Sequence, residues 1–484
     1  YHLERKNGQT RLLFGSELKT LLSSGLIEPR INLAALHHYL SFYAVPAPYT
    51  ILEGVQALPA GHHMTFHEGR LTVTRYWDVP VGEPLTGSED EIIQRLRALL
   101  EESIRLRMIA DVPVGAFLSG GIDSAAVVAL MTRISGERLR TFSVGFDHHG
   151  ADIDERSAAR LMAEHYGTEH TEVIVTGHDV RAGIEQMILA LDQPSGDGLN
   201  TYLVAQAAGQ AVKVALSGLG GDELFAGYPQ FSVFRQADSV RRAWQTLPGG
   251  LRRAVWSTRR FNPLAARAMP WLEGGVLDRY ERVRFLYSEQ EKLRLYTPGT
   301  VAGLAAPEPS HQYLERFIHP AESDSLVQLM RLELKHYMPH TLLRDTDAMS
   351  MAHSLEVRVP LIDHKLVEMA ARIPPGMKLR GKQTKWVFIE AVRDLLPPEV
   401  LARPKRGFEM PVARWMRNDL RDVLEDTFSR DSLRRRGVFQ PEAARAIYQC
   451  FLGGEGPYLR PWSLAVFELW CRQFIDAAPR RLRL

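Results

Sequence analysis

Apolar positions follow two different periods along the chain, and the change falls near residue 90. Before it, short alternating runs are separated by turn signals such as Asn7-Gly8, a pattern that predicts β-hairpins. A helix is predicted among them over 33–42, where the apolar spacing becomes helical. We therefore interpret residues 1–78 as a small β-rich piece, and the Pro-, Gly- and acid-rich stretch 79–90 as a linker.

From residue 91 onward, predicted strands alternate with predicted helices. The strand segments are VGAFL, LRTFSVGF, HTEVIV and VKVALSG, and a helical pattern separates each from the next. Strands at this spacing indicate βαβ units, and hence a parallel sheet covered by helices. After about Phe231 the pattern is mostly helical. The predicted fold class for 91–484 is α/β, with a mostly helical C-terminal part.

Composition excludes several classes of protein. The 484 residues carry 59 Lys and Arg against 57 Asp and Glu, a net charge of +2 that gives no electrostatic footprint for nucleic acid. No apolar run is long enough to cross a bilayer and no signal peptide is recognised, so we expect a cytoplasmic protein without a membrane partner. The two cysteines, Cys450 and Cys471, are too few for a disulfide scaffold, and we interpret both as buried small hydrophobes.

The sharpest motif is SGGIDS, placed where a predicted strand ends and a helix begins. Gly120 and Gly121 allow a tight turn, and the helix N-terminus that follows presents N–H groups to an anion. Ser119 and Ser124 add hydroxyl donors, while Asp123 requires a divalent cation between itself and a phosphate. The alternative is an ordinary turn in which Asp123 or Ser124 caps the helix.

A second glycine loop, SGLGGDELFAG, follows the strand VKVALSG. It does not match a dinucleotide fingerprint, because Glu223 occupies the position of the third glycine. Asp222 again follows the carboxyl end of a parallel strand, the edge at which such sheets bind ligands. Two such loops on one edge could share a metal-bound polyphosphate; the alternative is a buried acid that caps a helix.

These motifs resemble those of a known family. SGGIDS resembles the pyrophosphate loop of N-type ATP pyrophosphatases, and LSGLGGDELFAGY resembles the second ATP loop of the asparagine synthetase B family. The resemblance continues in the same order through FSVGF, DERSAARLMAEHYGTEH, DQP, RDTDAMSMAHSLEVRVPLID and RPKRGFEMP, and GSELKTLL and YWD resemble the end of the family's glutaminase domain. It implies an adenine nucleotide α-hydrolase-like synthetase domain over 91–484, preceded over 1–78 by the remnant of an N-terminal-nucleophile glutaminase domain.

The resemblance implies an amide-forming ligase that uses ATP and Mg²⁺. ATP would be cleaved between its α and β phosphates, a substrate carboxylate would take the AMP, and ammonia would displace it. Asp123 and Asp222 would hold Mg²⁺, and Lys405 would stabilise the acyl-phosphate intermediate, although a surface lysine is the alternative for Lys405. Lys382 and Lys385 are weaker candidates as phosphate neighbours. Pyrophosphate would be held by Ser119, Gly120, Gly121 and Ser124, and adenosine would contact Phe117, Val144, Ser217 and Gly218.

One departure from the family concerns the acceptor. Asparagine synthetases commonly carry Glu at the third position of the second loop, where this chain has Leu219. Leu219 cannot accept a hydrogen bond from an α-ammonium group, so we expect a pocket for a carboxylate larger than aspartate, as in surface-polymer amidotransferases or β-lactam synthetases. Two rival functions are a tRNA-modifying ATP pyrophosphatase, which the charge disfavours, and a non-catalytic nucleotide-binding scaffold.

A second departure concerns the nitrogen source. The family hydrolyses glutamine with an N-terminal cysteine, and this chain begins at Tyr1. We expect the chain as given to use free ammonia, and to use glutamine only if the preceding segment is present. The resemblance also allows a homodimer.

Overall fold

Two hairpins and two helices form the first part of the chain. The computed structural model describes residues 1–146, 156–257, 271–304, 306–403 and 410–477. Its first elements are β1 (His2–Lys6), β2 (Gln9–Leu13), α1 (Leu18–Ser23), α2 (Leu33–Phe42), β3 (His62–His67) and β4 (Arg70–Arg75). β1 pairs with β2 and β3 with β4, both antiparallel, and the turn residues Asn7 and Gly8 both have positive φ, as a type I′ turn requires. The predicted hairpins and the helix 33–42 are confirmed.

The central sheet has five parallel strands in the order β7-β6-β5-β8-β9. The strands are β5 (Val114–Phe117), β6 (Arg140–Phe146), β7 (Glu169–Val175), β8 (Val214–Leu216) and β9 (Glu356–Arg358). Four of them are the predicted strands, and the predicted α/β fold with a parallel sheet is confirmed. β9 was not predicted, because its three residues lie in a region with helical periodicity and pair with β8 only in the folded chain.

Helices separate the strands, as predicted. They are α3 (Glu89–Arg107), α4 (Ile122–Ser135), α5 (Arg156–Tyr166), α6 (Gly177–Ala190), α7 (Leu199–Ala211) and α8 (Gly221–Phe225). Ser88 and Glu91 form a capping box at the start of α3, whereas the N-cap residue of α4 is Gly121, which has no side chain to cap the helix. The first N–H groups of α4 are therefore available to a ligand.

The remainder of the described chain is mostly helical, as the sequence predicted. Its helices are Pro229–Gln245, Gly249–Ser257, Val276–Arg284, Glu289–Leu295, Pro298–Gly303, Ser310–Glu315, Ser325–Leu332, a π-helix Glu333–Leu343, Arg344–Met351, Pro360–Ile362, His364–Arg372, Pro375–Lys378, Trp386–Val392, Arg393–Leu395, Pro398–Leu401, Val412–Arg417, Arg421–Thr427, Arg430–Arg436, Pro441–Leu452 and Leu459–Phe474.

The strand order creates a switch point between β5 and β8. From β5 the chain adds β6 and β7 on one side, and then returns to add β8 and β9 on the other. Val114 pairs with Val214 and Ala116 with Leu216, so the two strands end side by side. In open parallel sheets the crevice at such a point is where ligands bind. Both glycine loops leave the sheet here.

The first 77 residues share a hydrophobic core with the helices at the far end of the chain. Leu36 and Tyr39 of α2 are fully buried in one cluster with Phe467 and Trp470. The Tyr39 hydroxyl donates to the carbonyl oxygen of Ser463 at 2.7 Å, which fixes α2 against the last helix.

A buried polar cluster adds to this contact. Lys292, fully buried, donates to Glu289 Oε1 at 2.8 Å and to Ser41 Oγ at 2.8 Å, and the ring of His37 lies 2.7 Å from Glu289 Oε2. Burial is the largest influence on the pKa of Lys292 and lowers it to about 8, although Glu289 opposes the shift. The cluster joins α2 to the helix Glu289–Leu295.

The two cysteines differ in their exposure to solvent. Cys471 is buried as predicted, but Cys450 is exposed, so the interpretation of Cys450 as a buried hydrophobe is wrong. Cys450 lies near the end of Pro441–Leu452, whose buried positions Ala444, Tyr448 and Phe451 recur at helical spacing, and Cys450 is not one of them. Within the described ranges, no helix is long and apolar enough to cross a membrane.

The shared core predicts a large effect of one buried leucine. We expect Leu36→Ala to lower the free energy of unfolding by about 2–5 kcal/mol, because the cavity would open where the two parts of the chain meet. Leu26→Ala is the matched control: Leu26 is 47% exposed, and its loss should change stability by less than about 0.5 kcal/mol. Urea denaturation followed by circular dichroism measures both, and equal midpoints would contradict the shared core.

Candidate functional site

The two glycine loops touch each other at the ends of β5 and β8. A Cβ built on Gly218 would lie 2.6 Å from the backbone nitrogen of Ser124 and 2.9 Å from the carbonyl carbon of Asp123. Real Cβ atoms essentially never come so close to backbone, so only glycine permits this approach. The second loop is held in place from the other side, because the Ser217 N–H donates to the Arg358 carbonyl oxygen of β9 at 2.9 Å.

The first loop is closed by its own serines. Ser124 Oγ accepts from the Ser119 N–H at 3.2 Å and lies 2.9 Å from Ser119 Oγ. Ser119 Oγ also accepts from the Gly121 N–H at 3.2 Å. These bonds shape the turn from which α4 begins, and its first N–H groups carry the positive end of the helix dipole. The sequence alternative, in which Asp123 or Ser124 caps α4, is not observed, since the N-cap position is Gly121.

The carboxylates of Asp123 and Asp222 come together where the loops meet. A Cβ on Gly221 would overlap the Asp123 carboxylate, so the glycine beside Asp222 makes room for it. Lys385 reaches both carboxylates: its Nζ donates to Asp123 and lies 2.6 Å from Asp222 Oδ1. Burial by itself would lower the pKa of Lys385, but the two carboxylates outweigh burial and raise that pKa above its ordinary value.

A cavity of about 380 Å³ opens beside this pair. The volume falls in the range of small-molecule sites. Nine of the ten residues predicted to bind nucleotide line it, and Gly120, which lies in the same turn, does not. The nine are Phe117, Ser119, Gly121, Asp123, Ser124, Val144, Ser217, Gly218 and Asp222.

Arg156 of α5 also lines the cavity and was not predicted. Its side chain passes over Gly145, where a Cβ would overlap the Arg156 Cδ. A cation is therefore present in the cavity wall between β6 and α5. The signal for it was the DERSAAR motif, which contains Arg156 but does not indicate where its side chain lies.

Three further acidic side chains, which sequence reasoning did not place in the site, also line the cavity. Glu223, Asp197 and Asp345 line it together with Tyr228. Burial, followed by the nearby charge of Asp222, raises the pKa of Glu223 to about 7, and the Tyr228 hydroxyl donates to Glu223 Oε1 at 2.5 Å. Burial likewise raises the pKa of Asp345 to about 6 and raises the pKa of Asp197.

The cavity wall also includes a π-helix, Glu333–Leu343, which contains Pro339. Pro339 has no N–H to donate, which disturbs the regular helical hydrogen-bond pattern, and such segments are frequent at functional sites. Tyr337 and Leu342 of this helix face the cavity. Tyr337 also shares a side-chain hydrogen bond with Tyr43, so the first part of the chain reaches the cavity wall.

The donor set at the loops is suited to Mg²⁺. Asp123 and Asp222 supply carboxylate oxygens, and each side chain is less than 15% exposed. Among the described residues, no group of three or more His, Cys, Asp or Glu side chains could hold a metal ion by itself. Mg²⁺ is commonly bound by one or two carboxylates together with substrate phosphates, so the two carboxylates fit a metal that arrives with a polyphosphate.

Comparison with known proteins agrees with this geometry. A family model described as asparagine synthase matches residues 95–472, and a model described as glutamine amidotransferase domain matches residues 1–77. The chain belongs to the asparagine synthase family. Members of this family are carbon–nitrogen ligases with an ATP-pyrophosphatase fold, so the predicted family and enzyme class are confirmed.

Three relatives show how the similarity is distributed. A putative asparagine synthetase [glutamine-hydrolyzing] of Mycobacterium tuberculosis is 33% identical over 482 residues, which cover 95% of this chain and 71% of the relative. Asparagine synthetase [glutamine-hydrolyzing] 1 of Bacillus subtilis is 30% identical over 475 residues, covering 95% and 72%. Amidase chry2 of Gibberella zeae is 26% identical over 504 residues, covering 93% and 72%.

The sequence also indicated three lysines, Lys405, Lys385 and Lys382, as candidates for this asparagine synthase family site. Lys405 lies outside the described residues. Lys385, a weak candidate from sequence, contacts both loop carboxylates, whereas Lys382 is exposed.

The close contact between the two loops predicts that a methyl group added at Gly218 weakens nucleotide binding. We expect Gly218→Ala to weaken Mg²⁺–ATP binding by about tenfold or more, because the new Cβ would push the second loop away from Asp123 and Ser124. Gly376→Ala is the control, since a Cβ at Gly376 meets nothing within 4 Å. Calorimetric titration measures binding, with circular dichroism to confirm folding, and unchanged affinity in Gly218→Ala would show that the loops do not need this approach.

Proposed function

We propose that this chain is an ATP-dependent, Mg²⁺-requiring amide ligase that forms AMP. The observation that carries the proposal is the meeting of Asp123 and Asp222 at two glycine loops on either side of the switch point. A single carboxylate in a glycine turn fits many functions. Two carboxylates beside an uncapped helix N-terminus and a cavity of about 380 Å³ fit a metal-bound nucleoside triphosphate.

The reaction would proceed in two steps. A carboxylate oxygen of the acceptor attacks the α-phosphorus of ATP, and pyrophosphate leaves. Ammonia, free or released from glutamine, then attacks the acyl carbon and loses a proton, and AMP leaves with the carboxylate oxygen that made the first attack. Family membership supports ATP and a carbon–nitrogen bond-forming step, and the separate acyl-AMP step is part of the proposal.

The chain's own groups suit the first step. The first-turn N–H groups of α4 and the hydroxyls of Ser119 and Ser124 would bind the oxygens of the leaving pyrophosphate, and Asp123 and Asp222 would hold Mg²⁺. Mg²⁺, when bound, supplies positive charge that stabilises the charge developing on the leaving group. Phe117 and Val144, on neighbouring strands β5 and β6, would contact the adenosine.

The part of the cavity wall formed by Asp197, Glu223 and Asp345 is the proposed place of the acceptor. Leu219 lines this cavity and cannot accept a hydrogen bond from an ammonium group. Glu223, Asp197 and Asp345 line the same cavity, however, so an acceptor that carries an amino group would still find carboxyl oxygens that can accept its hydrogen bonds. These carboxyl groups support an acceptor that is an amino acid. The apolar side chain of Leu219 would then select the part of the acceptor that carries the reacting carboxylate.

A non-aspartate acceptor is the second candidate function. Leu219 favours it, and amidase-named relatives such as Amidase chyE of Penicillium rubens, 24% identical over 490 residues, are compatible with it. An amidotransferase or β-lactam synthetase-like enzyme would use the same adenylation chemistry with a different carboxylate.

Loss of one metal-binding carboxylate tests the proposed chemistry. We expect Asp123→Ala to lower ATP–pyrophosphate exchange by about 10²-fold or more, because the charge on the leaving group would no longer be stabilised. Asp111→Ala, at an exposed position before β5, should exchange like the parent. Absence of exchange in the parent protein with every carboxylate and with Mg²⁺ present would instead favour a nucleotide-binding scaffold.

Substitution of Leu219 tests the acceptor. In an exchange assay with aspartate and a panel of larger carboxylates, with and without an α-amino group, we expect the parent to prefer a larger acid. Leu219→Glu should raise exchange with aspartate, relative to the acids that lack an α-amino group, by about 10- to 150-fold, the equivalent of one hydrogen bond of about 1.5–3 kcal/mol to a charged group. Leu106→Glu, on the exposed face of α3, is the control. Strong exchange in the parent with aspartate alone would contradict the assignment.

A further inference from the structure

Lys385 is built into the place between the two loop carboxylates. It directly precedes the helix Trp386–Val392, with φ of 54°, and its side chain is 5% exposed. Nζ donates to Asp123 and lies 2.6 Å from Asp222 Oδ1. One ammonium group thus joins carboxylates from two loops that are far apart in sequence.

The neighbouring backbone is shaped to admit this lysine. A Cβ on Gly227 would overlap the Cε of Lys385, so the glycine that ends the second loop leaves the passage for its side chain. The Lys385 N–H donates to the Phe225 carbonyl oxygen at 3.1 Å, and the rings of Phe225 and Phe388 stack with centroids 5.1 Å apart. The helix that presents Lys385 is therefore fixed to the second loop at several points.

The charges of Lys385, Asp123 and Asp222 restrict how a metal ion can bind between the two loops. Two carboxylates held together in a nearly buried place repel each other unless a cation lies between them. In the structure that cation is an ammonium group at hydrogen-bond distance from both. Mg²⁺ binds carboxylate oxygens at about 2.0–2.1 Å, so it cannot share the same oxygens and the same space with Nζ.

We propose that Lys385 is the resident counter-ion of Asp123 and Asp222, and that Mg²⁺ binds only by displacing its ammonium group. The inference rests on the proposed metal role of the two carboxylates. The metal alone would bind weakly, because it must leave a buried ammonium group without partners. A polyphosphate that arrives with the metal supplies anionic oxygens for the displaced ammonium group, so metal and nucleotide bind together. Lys385 would in this way make the carboxylate pair selective for the metal–nucleotide complex over the free metal.

Metal binding without nucleotide tests this inference. Mn²⁺ serves as the probe, and its free concentration is measured by electron paramagnetic resonance in protein solutions that contain no nucleotide. We expect the parent to bind Mn²⁺ weakly and Lys385→Met to bind it about tenfold more tightly or better, since no ammonium group has to be displaced. Lys6→Met, at an exposed lysine of β1, should bind like the parent.

Thermal melting in the same solutions gives a second readout. In the presence of a chelator, Lys385→Met should melt below the parent, because Asp123 and Asp222 lose their counter-ion, and Mn²⁺ should raise its melting temperature more than that of the parent. Lys385→Gln keeps a hydrogen-bond donor without the charge and should show the same tightening of Mn²⁺ binding. It takes the place of Lys385→Met if that variant does not fold.

The outcomes separate this inference from the proposed function. Equal Mn²⁺ affinity in the parent and both variants would overturn the counter-ion role, even if the parent binds Mg²⁺–ATP. Tighter Mn²⁺ binding in the variants, with no Mg²⁺–ATP binding by the parent, would uphold the counter-ion role and contradict the proposed ligase.

Discussion

The approach of two glycine loops at the end of one strand pair is the constraint on which the rest of the site depends. Gly218 lies against the backbone of Asp123 and Ser124, and Gly221 makes room for the Asp123 carboxylate. A side chain at either position would separate the loops. The strand order β7-β6-β5-β8-β9 brings the loops together, and the Lys385 ammonium group contacts the carboxylates of both. The strand order and the charges of Asp123, Asp222 and Lys385 are therefore linked at the place where the two loops meet.

The first 77 residues are integrated with this site. Tyr39 and Leu36 share a core with the last described helix, and Tyr43 is hydrogen-bonded to Tyr337 in the cavity wall. The backbone of Ala44 pairs with that of Ser195, and the Ser195 hydroxyl donates to Asp345 in the cavity wall. The segment that matches the amidotransferase model thus contacts residues of the cavity wall.

Local signals in the sequence were enough to predict the elements that carry the phosphate-binding loops. The Asn7-Gly8 turn, the helix α2 and four of the five parallel strands follow from periodicity and turn chemistry, and SGGIDS follows from its position between strand and helix. What sequence could not supply depends on tertiary contact. β9 is a strand only because β8 lies beside it, and Lys385 is 262 residues from Asp123. Asp197, Glu223 and Asp345 likewise come from separate segments and meet at the cavity wall only in the folded chain.

Transfer of oxygen from the acceptor to AMP is the most direct test of the proposed ligase, because it follows the atom that adenylation moves. The measurement uses the preferred acceptor labelled with ¹⁸O in its carboxylate, together with ATP, Mg²⁺ and ammonia, and the products are analysed by ³¹P nuclear magnetic resonance and mass spectrometry. Adenylation of the acceptor predicts AMP with one ¹⁸O in its phosphate and unlabelled pyrophosphate. ADP with labelled inorganic phosphate, or an amide formed with unlabelled AMP, would contradict it.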